Sequence, residues 1–358
     1  MSNSQFKILS LDGGGIKGII PCAIFVAIEE KTNNAISELF DVIAGTSTGG
    51  IIALGLSKPD ENNNNAFRAK DMFDLYVNNG KDIFLKRQED LWSKIGSIFN
   101  KTKAIVPLNY EIEHFEKLLK EKFRDTPLSE ALVDLLITTY DLNEGNPFYF
   151  SSRLAKAASK EDILMRDIAR STSAAPTFFE PSLLRYNDKE EMAFVDGGVF
   201  ANNPSILAYG EAKEIWKKIS RLDVPDNIQK DAKGTYAVVE PDDKDLPFYM
   251  LSLGCGHSRS EIDFSKAKNW RTIEWVQPLL TDIFMRSVEQ STDYTMKHLM
   301  PPYKNGDYRY QRMDMELPST LMQMDNVSPE NINRLVDFAL DFVKKEDAQI
   351  EKICEIIG

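Results

Sequence analysis

Ser47 stands in the pentapeptide Gly45-Thr46-Ser47-Thr48-Gly49, between the apolar run DVIA and a second one, GIIALGL. A G-x-S-x-G pattern in that position places a serine hydroxyl on a sharp strand-to-helix turn, clear of the backbone, with small residues where the turn is crowded. A hydroxyl held that way is a nucleophile. Upstream, Gly13, Gly15 and Gly18 of LDGGGIKG satisfy G-x-G-x-x-G between a strand-like and a helix-like stretch. That is the context of a dinucleotide-binding turn. Glycine N–H groups aimed at one point serve equally to hold an oxyanion. The next strand decides between the two. A dinucleotide fold needs an acid at the end of that strand for the ribose, but here the strand ends in GTSTG and Asp41 stands at its start. The turn Gly13, Gly14 and Gly15 is therefore read as an oxyanion hole beside Ser47, where one donor is worth about 3 kcal/mol of barrier. Lys17 is expected to be either a nearby positive charge or a solvated lysine of the first helical turn. Asp12 is expected to bond the backbone N–H groups of the turn.

A serine needs a base, and the chain has three histidines, His114, His257 and His298. His114 reads as a surface residue of an amphipathic helix, His298 lies among charged helical residues, and His257 follows the strand-like LSLGCG. None has a local signature. Asp196 does: FVDGG sets a carboxylate at a strand end, followed by two glycines that permit close approach of another group.

The elements that would position these groups alternate. Phe6 to Asp12 reads as a buried strand, Lys17 to Lys31 as a helix, Asp41 to Ser47 as a strand, and a helix begins near Gly49. Such an order indicates an α/β fold, a three-layer α/β/α arrangement with a mainly parallel central sheet. The first two strands are expected to be neighbours, which brings Gly13 to Gly15 beside Ser47. Further helices are expected over Tyr110 to Phe123, Ser129 to Leu132 and Glu161 to Ser173. Strands are expected at Leu135 to Thr139, Ala193 to Asp196 and, alternating, Phe248 to Leu253. Asp60 to Asn65 reads as a polar loop and Lys233 to Pro247 as an acidic excursion. Residues 328–357 read as one C-terminal helix with Ser328 as N-cap and Pro329 in the first turn. No repeat or linker divides the chain, so one domain over 1–358 is expected.

The 358 residues are 42% apolar with a formal net charge of −12, which argues against a nucleic-acid polymer as partner. Three cysteines without C-x-x-C spacing argue against a disulfide framework or a zinc site, and a cytoplasmic setting is expected. The apolar run Gly18 to Ile28 is too short to span a bilayer, and the N-terminus does not read as a secretory leader. Lys81 to Leu108 combines six basic and three acidic residues with Leu91, Trp92, Ile95, Ile98 and Phe99 on one helical face. That composition makes Trp92, Ile95 and Phe99 the candidate membrane contacts.

The chain resembles the patatin-like phospholipases in DGGGIKG (Asp12 to Gly18), GTSTG (Gly45 to Gly49) and DGG (Asp196 to Gly198). STSAAPTFFEP (Ser171 to Pro181) and LSLGCG (Leu251 to Gly256) are similar to family segments, with Cys255 where the family more often has Thr or Ser. The resemblance runs from about Phe6 to Gln311. It implies a patatin-like variant of the α/β-hydrolase architecture and hydrolysis of fatty-acyl esters of phospholipids or galactolipids through an acyl-serine. It further implies a Ser47–Asp196 dyad, Gly13 to Gly15 as oxyanion hole, and no cofactor or metal. A phospholipid membrane is the implied partner, with the protein peripheral to it when active. Bacterial relatives of this size include effectors activated by a cyclic nucleotide, which makes such an activator a further candidate partner. The competing readings are a Ser–His–Asp esterase using His257 or His298, and a lipid- or nucleotide-binding module without turnover.

Overall fold

A computed structural model of the chain describes residues 5–85, 110–157, 162–186, 190–219, 246–258, 264–270, 283, 285–303 and 306–358. The stretch carrying Trp92, Ile95 and Phe99, and the excursion over 233–245, lie outside the described residues. Among the described residues, eight strands build one sheet. They are β1 (Phe6–Leu11), β2 (Val42–Thr46), β3 (Asp134–Asp141), β4 (Asn146–Ser151), β5 (Ser182–Tyr186), β6 (Glu190–Asp196), β7 (Phe248–Leu253) and β8 (Tyr310–Met313). The order is β5-β6-β3-β2-β1-β7-β8, with β4 paired to β3. From β3 through β8 every pair is parallel, and β4, β5 and β6 add antiparallel strands at one end.

The longer helices are α1 (Ile19–Thr32), α2 (Thr48–Leu56), α3 (Ala69–Ile83), α4 (Ile112–Phe123), α5 (Met165–Thr172), α6 (Ser205–Ile219), α7 (Arg286–Leu299), α8 (Pro329–Lys345) and α9 (Asp347–Ile357). One face of the sheet carries α1 to α5, α8 and α9, packed on Leu9, Leu11, Ile43 and Leu251. The other carries α6 and α7, packed on Ile8, Val42, Phe248 and Met250. This is the three-layer α/β/α fold. Both faces are covered, so all six residues of β7 are buried and the expected alternation does not appear. The α1 helix is buried on nearly every side because it lies between the sheet and the C-terminal pair. No described helix is long and apolar enough to cross a membrane.

Residues 328–357 form two helices rather than one. The ladder breaks at Glu346, where the polar run KKED offers no apolar anchor, and the bend lets Leu335 and Ala339 of α8 and Ile350 and Ile353 of α9 all reach the core around α1. Ser328 caps α8 as expected, its side chain accepting from Asn331 N–H at 3.3 Å.

Residues 136–138 of β3 pair with both β2 and β4, and residues 139–141 pair with both β4 and β6. One edge of a strand holds one partner at each residue, so β4 takes one edge while β2 and β6 share the other, end to end. Gly197 turns out of this junction. A Cβ there would lie 2.2 Å from Thr138 Oγ1 and 2.7 Å from its backbone carbonyl. Gly210, inside α6, faces open space. Gly197→Ala is expected to lower unfolding stability by about 1–3 kcal/mol through overpacking. Gly210→Ala is expected to raise it by about 1 kcal/mol through helix propensity. Denaturant midpoints at unchanged slope read both, and equal midpoints for the two variants would contradict the close packing at the junction.

Candidate active site

The turn after β2 holds Ser47 at φ 55° and ψ −122°, a left-handed φ that a serine adopts only under constraint. The constraint is steric and polar. A Cβ on Gly45 would lie 2.4 Å from Gly49 O, and one on Gly49 would lie 2.4 Å from Leu11 O, so strand, turn and helix are in backbone contact. Ser47 N–H donates to Thr172 Oγ1 at 2.9 Å, and that hydroxyl donates to Thr138 O at 2.7 Å. Below the turn, the Thr46 and Thr138 hydroxyls meet at 2.7 Å, with Thr46 Oγ1 also donating to Ala201 O at 2.6 Å.

Asp196 ends β6 opposite Thr139, one residue along β3 from the Thr138–Thr46 pair. It is buried, and its N–H donates to Ala174 O at 3.0 Å. Burial pushes its carboxyl up to about 6, against a hydrogen bond with the Ser47 side chain and another from Gly198 N–H, the latter 2.7 Å long. Ser47, Asp196 and Gly13, Gly14 and Gly15 all line one cavity of about 1180 Å³. Its apolar wall includes Ile51, Ile83, Phe84, Phe115, Phe178 and Phe179. Phe179 is the hub of that wall, with ring centres of Phe84, Tyr110 and Phe115 at 5.9, 5.6 and 5.7 Å.

The glycine turn departs from expectation in its details. Gly13 N–H is already committed to Asn202 O at 3.1 Å. Among the described residues, the N–H groups of Gly14 and Gly15 meet no acceptor, so these two donors are left free at the turn. Gly15 has φ +61°, and a Cβ there would strike Met324 O at 2.2 Å. Lys17 is not solvated: it is 5% exposed, and its ammonium donates to Gly256 O at 3.2 Å in the cavity wall. Asp12 does not cap the turn either. Its carboxylate takes a two-pronged bond from Arg312 of β8, at 2.6 and 3.3 Å, because a buried acid beside a buried guanidinium is satisfied better by the pair than by amides.

Five residues of the site had no reading in the sequence. Asn202 returns a bond from Nδ2 to Gly13 O at 3.3 Å and a second, short one to Glu289 of α7. Thr172, Arg312 and Asp314 complete the polar frame. Their signals are faint: Thr172 and Asn202 lie in STSAAP and ANNP, next to recognised motifs, whereas Arg312 lies on a strand whose short alternation carries no turn signal.

The histidines are placed apart from Asp196 chemistry. His257 lines the cavity, but its Nδ1 meets Asp314 Oδ2 at 3.0 Å, and this bond raises its pKa. His298 is exposed on α7, with Nδ1 at 2.7 Å from Tyr294 O, and His114 is exposed on α4. Asp41, the failed ribose anchor, accepts from Lys7 N–H at 2.7 Å at the far end of β2. Among the described residues, no three His, Cys, Asp or Glu side chains converge for a metal ion.

Asn202 ties the glycine turn to the Asp196 segment through two bonds to one residue. Asn202→Ala is expected to slow labelling of Ser47 by a fluorophosphonate about tenfold or more, while removal of a buried pair of hydrogen bonds lowers stability by about 1–3 kcal/mol. An unchanged labelling rate in the folded variant would show that the tie does not align the turn.

Known proteins supply an independent comparison. A family model described as patatin-like phospholipase matches residues 9–209. Patatin-T5 of Solanum tuberosum is 31% identical over 94% of this chain and 83% of its own length. Patatin-like protein 2 of Arabidopsis thaliana is 30% identical over 96% and 84%. A relative named probable inactive patatin-3-Kuras 1, also of Solanum tuberosum, is 30% identical over 94% and 86%, so relatedness alone does not carry turnover. Among solved structures, VipD from Legionella pneumophila aligns with a TM-score of 0.37 at 12% identity, over 96% of this chain and 66% of that one. The match over residues 9–209 together with these relatives makes the chain a member of the patatin-like phospholipase family.

Proposed function

We propose that the protein is a serine-dependent acyl hydrolase that cleaves fatty-acyl esters of phospholipids or galactolipids. The observation that carries this reading is the Ser47 hydroxyl, held on a strained turn and lining one cavity with the buried carboxyl of Asp196, which burial raises to about 6. Ser47 Oγ attacks the ester carbonyl carbon while Asp196 takes its proton. The carbonyl oxygen gains the charge and receives the N–H groups of Gly14 and Gly15. Collapse of the tetrahedral intermediate expels the alcohol, which leaves with the proton from Asp196, and water then releases the fatty acid from the acyl-serine. The Phe84–Phe115–Phe178–Phe179 wall suits an acyl chain, since aromatic side chains bury large apolar area without leaving a donor unpaired.

A base whose pKa lies just below neutral is ionised in the cell and still basic enough to accept a proton in the transition state. The sign follows directly. Asp196 must be a carboxylate, so kcat/KM for phospholipid or ester substrate is expected to rise about tenfold per pH unit up to about 6 and level off above it. Ser47→Ala and Asp196→Asn are each expected to cost at least about a thousandfold in fatty-acid release. His257→Ala is expected to keep activity within about threefold, because its partner is Asp314. Loss of activity in His257→Ala with retention in Asp196→Asn would transfer the role of base to the histidine. Binding of lipid with neither turnover nor fluorophosphonate labelling would leave a binding module in place of an enzyme.

A further inference from the structure

The antiparallel end of the sheet, β5-β6-β3-β4, has two unlike faces. The registers Thr138↔Tyr149, Tyr140↔Pro147, Tyr140↔Val195 and Leu183↔Ala193 set these residues, with Leu142 two beyond Tyr140, on one side. The other side turns Phe148, Phe150, Leu184 and Phe194 into the core. On the first side α6 covers Val42, Ala44 and Leu136. Beyond it, the cover among the described residues is the short turn Gly198–Ala201, whose Phe200 ring meets Tyr140 at 6.4 Å and Tyr149 at 6.0 Å. Leu142 is 46% exposed, Leu183 60%, Tyr149 38% and Val199 42%. A sheet with one wet face normally alternates polar residues outward. Here the outward positions short of the outer end are leucine, proline and tyrosine, and a contiguous exposed apolar patch marks a contact surface.

We propose that this face seats the protein on a lipid surface and holds the mouth of the Ser47 cavity against it. Val199 lines that cavity and is itself exposed, as are Thr177, Gln323 and Ser328, so one exposed rim of the cavity lies one residue from Phe200, at the border of the patch. A lipid drawn in over this rim enters the cavity beside the apolar face. Tyr140 and Tyr149 combine an apolar ring with a polar tip, the residue type that membrane interfaces favour. The outer end of the same face carries the opposed pair Arg185–Glu191, with no net charge. In a chain of net charge −12, attraction to lipid through this face is apolar rather than ionic. The purpose of the docking rests on the acyl-hydrolase reading, whereas the docking itself is measurable without turnover.

The test uses Leu142→Glu/Leu183→Glu, two exposed positions away from the cavity. Binding is read by flotation with phosphatidylcholine vesicles in a Ser47→Ala background, and hydrolysis in the Ser47 background. The parent is expected to float, with little change between low and high salt, and the double variant to bind at least about tenfold more weakly. Vesicle hydrolysis falls in parallel, while turnover of a water-soluble short-chain nitrophenyl ester and the melting temperature stay unchanged. A parent that does not float, or a double variant that floats as well as the parent, overturns the proposal. So does a parent dimer that the substitutions split into monomers without loss of vesicle binding, since the face then belongs to a second copy. Failure of the acyl-hydrolase reading looks different: vesicles bound through this face, with neither ester cleaved.

Discussion

Two strands that run toward each other along one edge of β3 are the constraint on which the site depends. β2 pairs with β3 up to Thr138, and β6 arrives from the opposite direction and ends at Thr139. Their C-terminal residues, Thr46 and Asp196, therefore occupy adjacent places on the same ladder. Neither chain can continue, because the other blocks its path. Each must turn out of the sheet on the spot, β2 through Ser47 with its positive φ and β6 through Gly197, which has no room for a Cβ. Ser47 and Asp196 meet because two hydrogen-bonding ladders run out at one point. No flexible side chain has to reach across a gap, and little entropy remains to be lost on forming the pair.

The charges around this junction are kept off it. Arg312 is spent on Asp12 and Asp314, and Lys17 on the carbonyl of Gly256, while Asp314 also holds His257. Asp196 accordingly feels burial and two hydrogen bonds, with no guanidinium or ammonium among the causes of its shift. A cation in contact would pull such a carboxyl down and strip it of basicity. The ionic group has a separate task. Burying Asp12 and Arg312 costs desolvation of both, which only a well-formed pair offsets, and that pair locks the start of the glycine turn to β8. Asn202 locks the next residue, Gly13, to the segment after Asp196. The turn is thus fixed from two sides, and its unclaimed amides fall at Gly14 and Gly15.

What the sequence disclosed follows from the range of the interactions involved. The strand–turn–helix at Ser47 was legible because its causes are local: small residues at Gly45 and Gly49, an apolar strand before them and an apolar helix after. The strand ending at Asp196 and the neighbouring of β1 and β2 followed from the same short-range patterns. The commitment of Gly13 to Asn202, the burial of Lys17 and the pairing of Asp12 with Arg312 were not legible, since each depends on a partner distant in sequence. The strands β4, β5 and β8 escaped notice for a related reason. NPFYFS, SLLRY and YQRM are four to six residues long, and such runs gain their conformation from the strand they add to rather than from their own periodicity. The single C-terminal helix failed in the other direction, because two amphipathic stripes separated by KKED have one period but two packing directions.

The junction also explains why the site lies at the edge of the covered sheet. Parallel strands need crossover connections, and the helices in those connections bury both faces of the sheet. Antiparallel strands joined by a tight turn, as β3 and β4 are, bring no such cover. The change from parallel to antiparallel pairing falls at Thr138 and Thr139, so the cover of α6 ends where Ser47 and Asp196 begin. A site deep in the parallel half would be closed to a bulky ligand. One at the boundary has a buried carboxylate on its inner side and, among the described residues, an uncovered apolar face on its outer side, and both are consequences of the same reversal in strand direction.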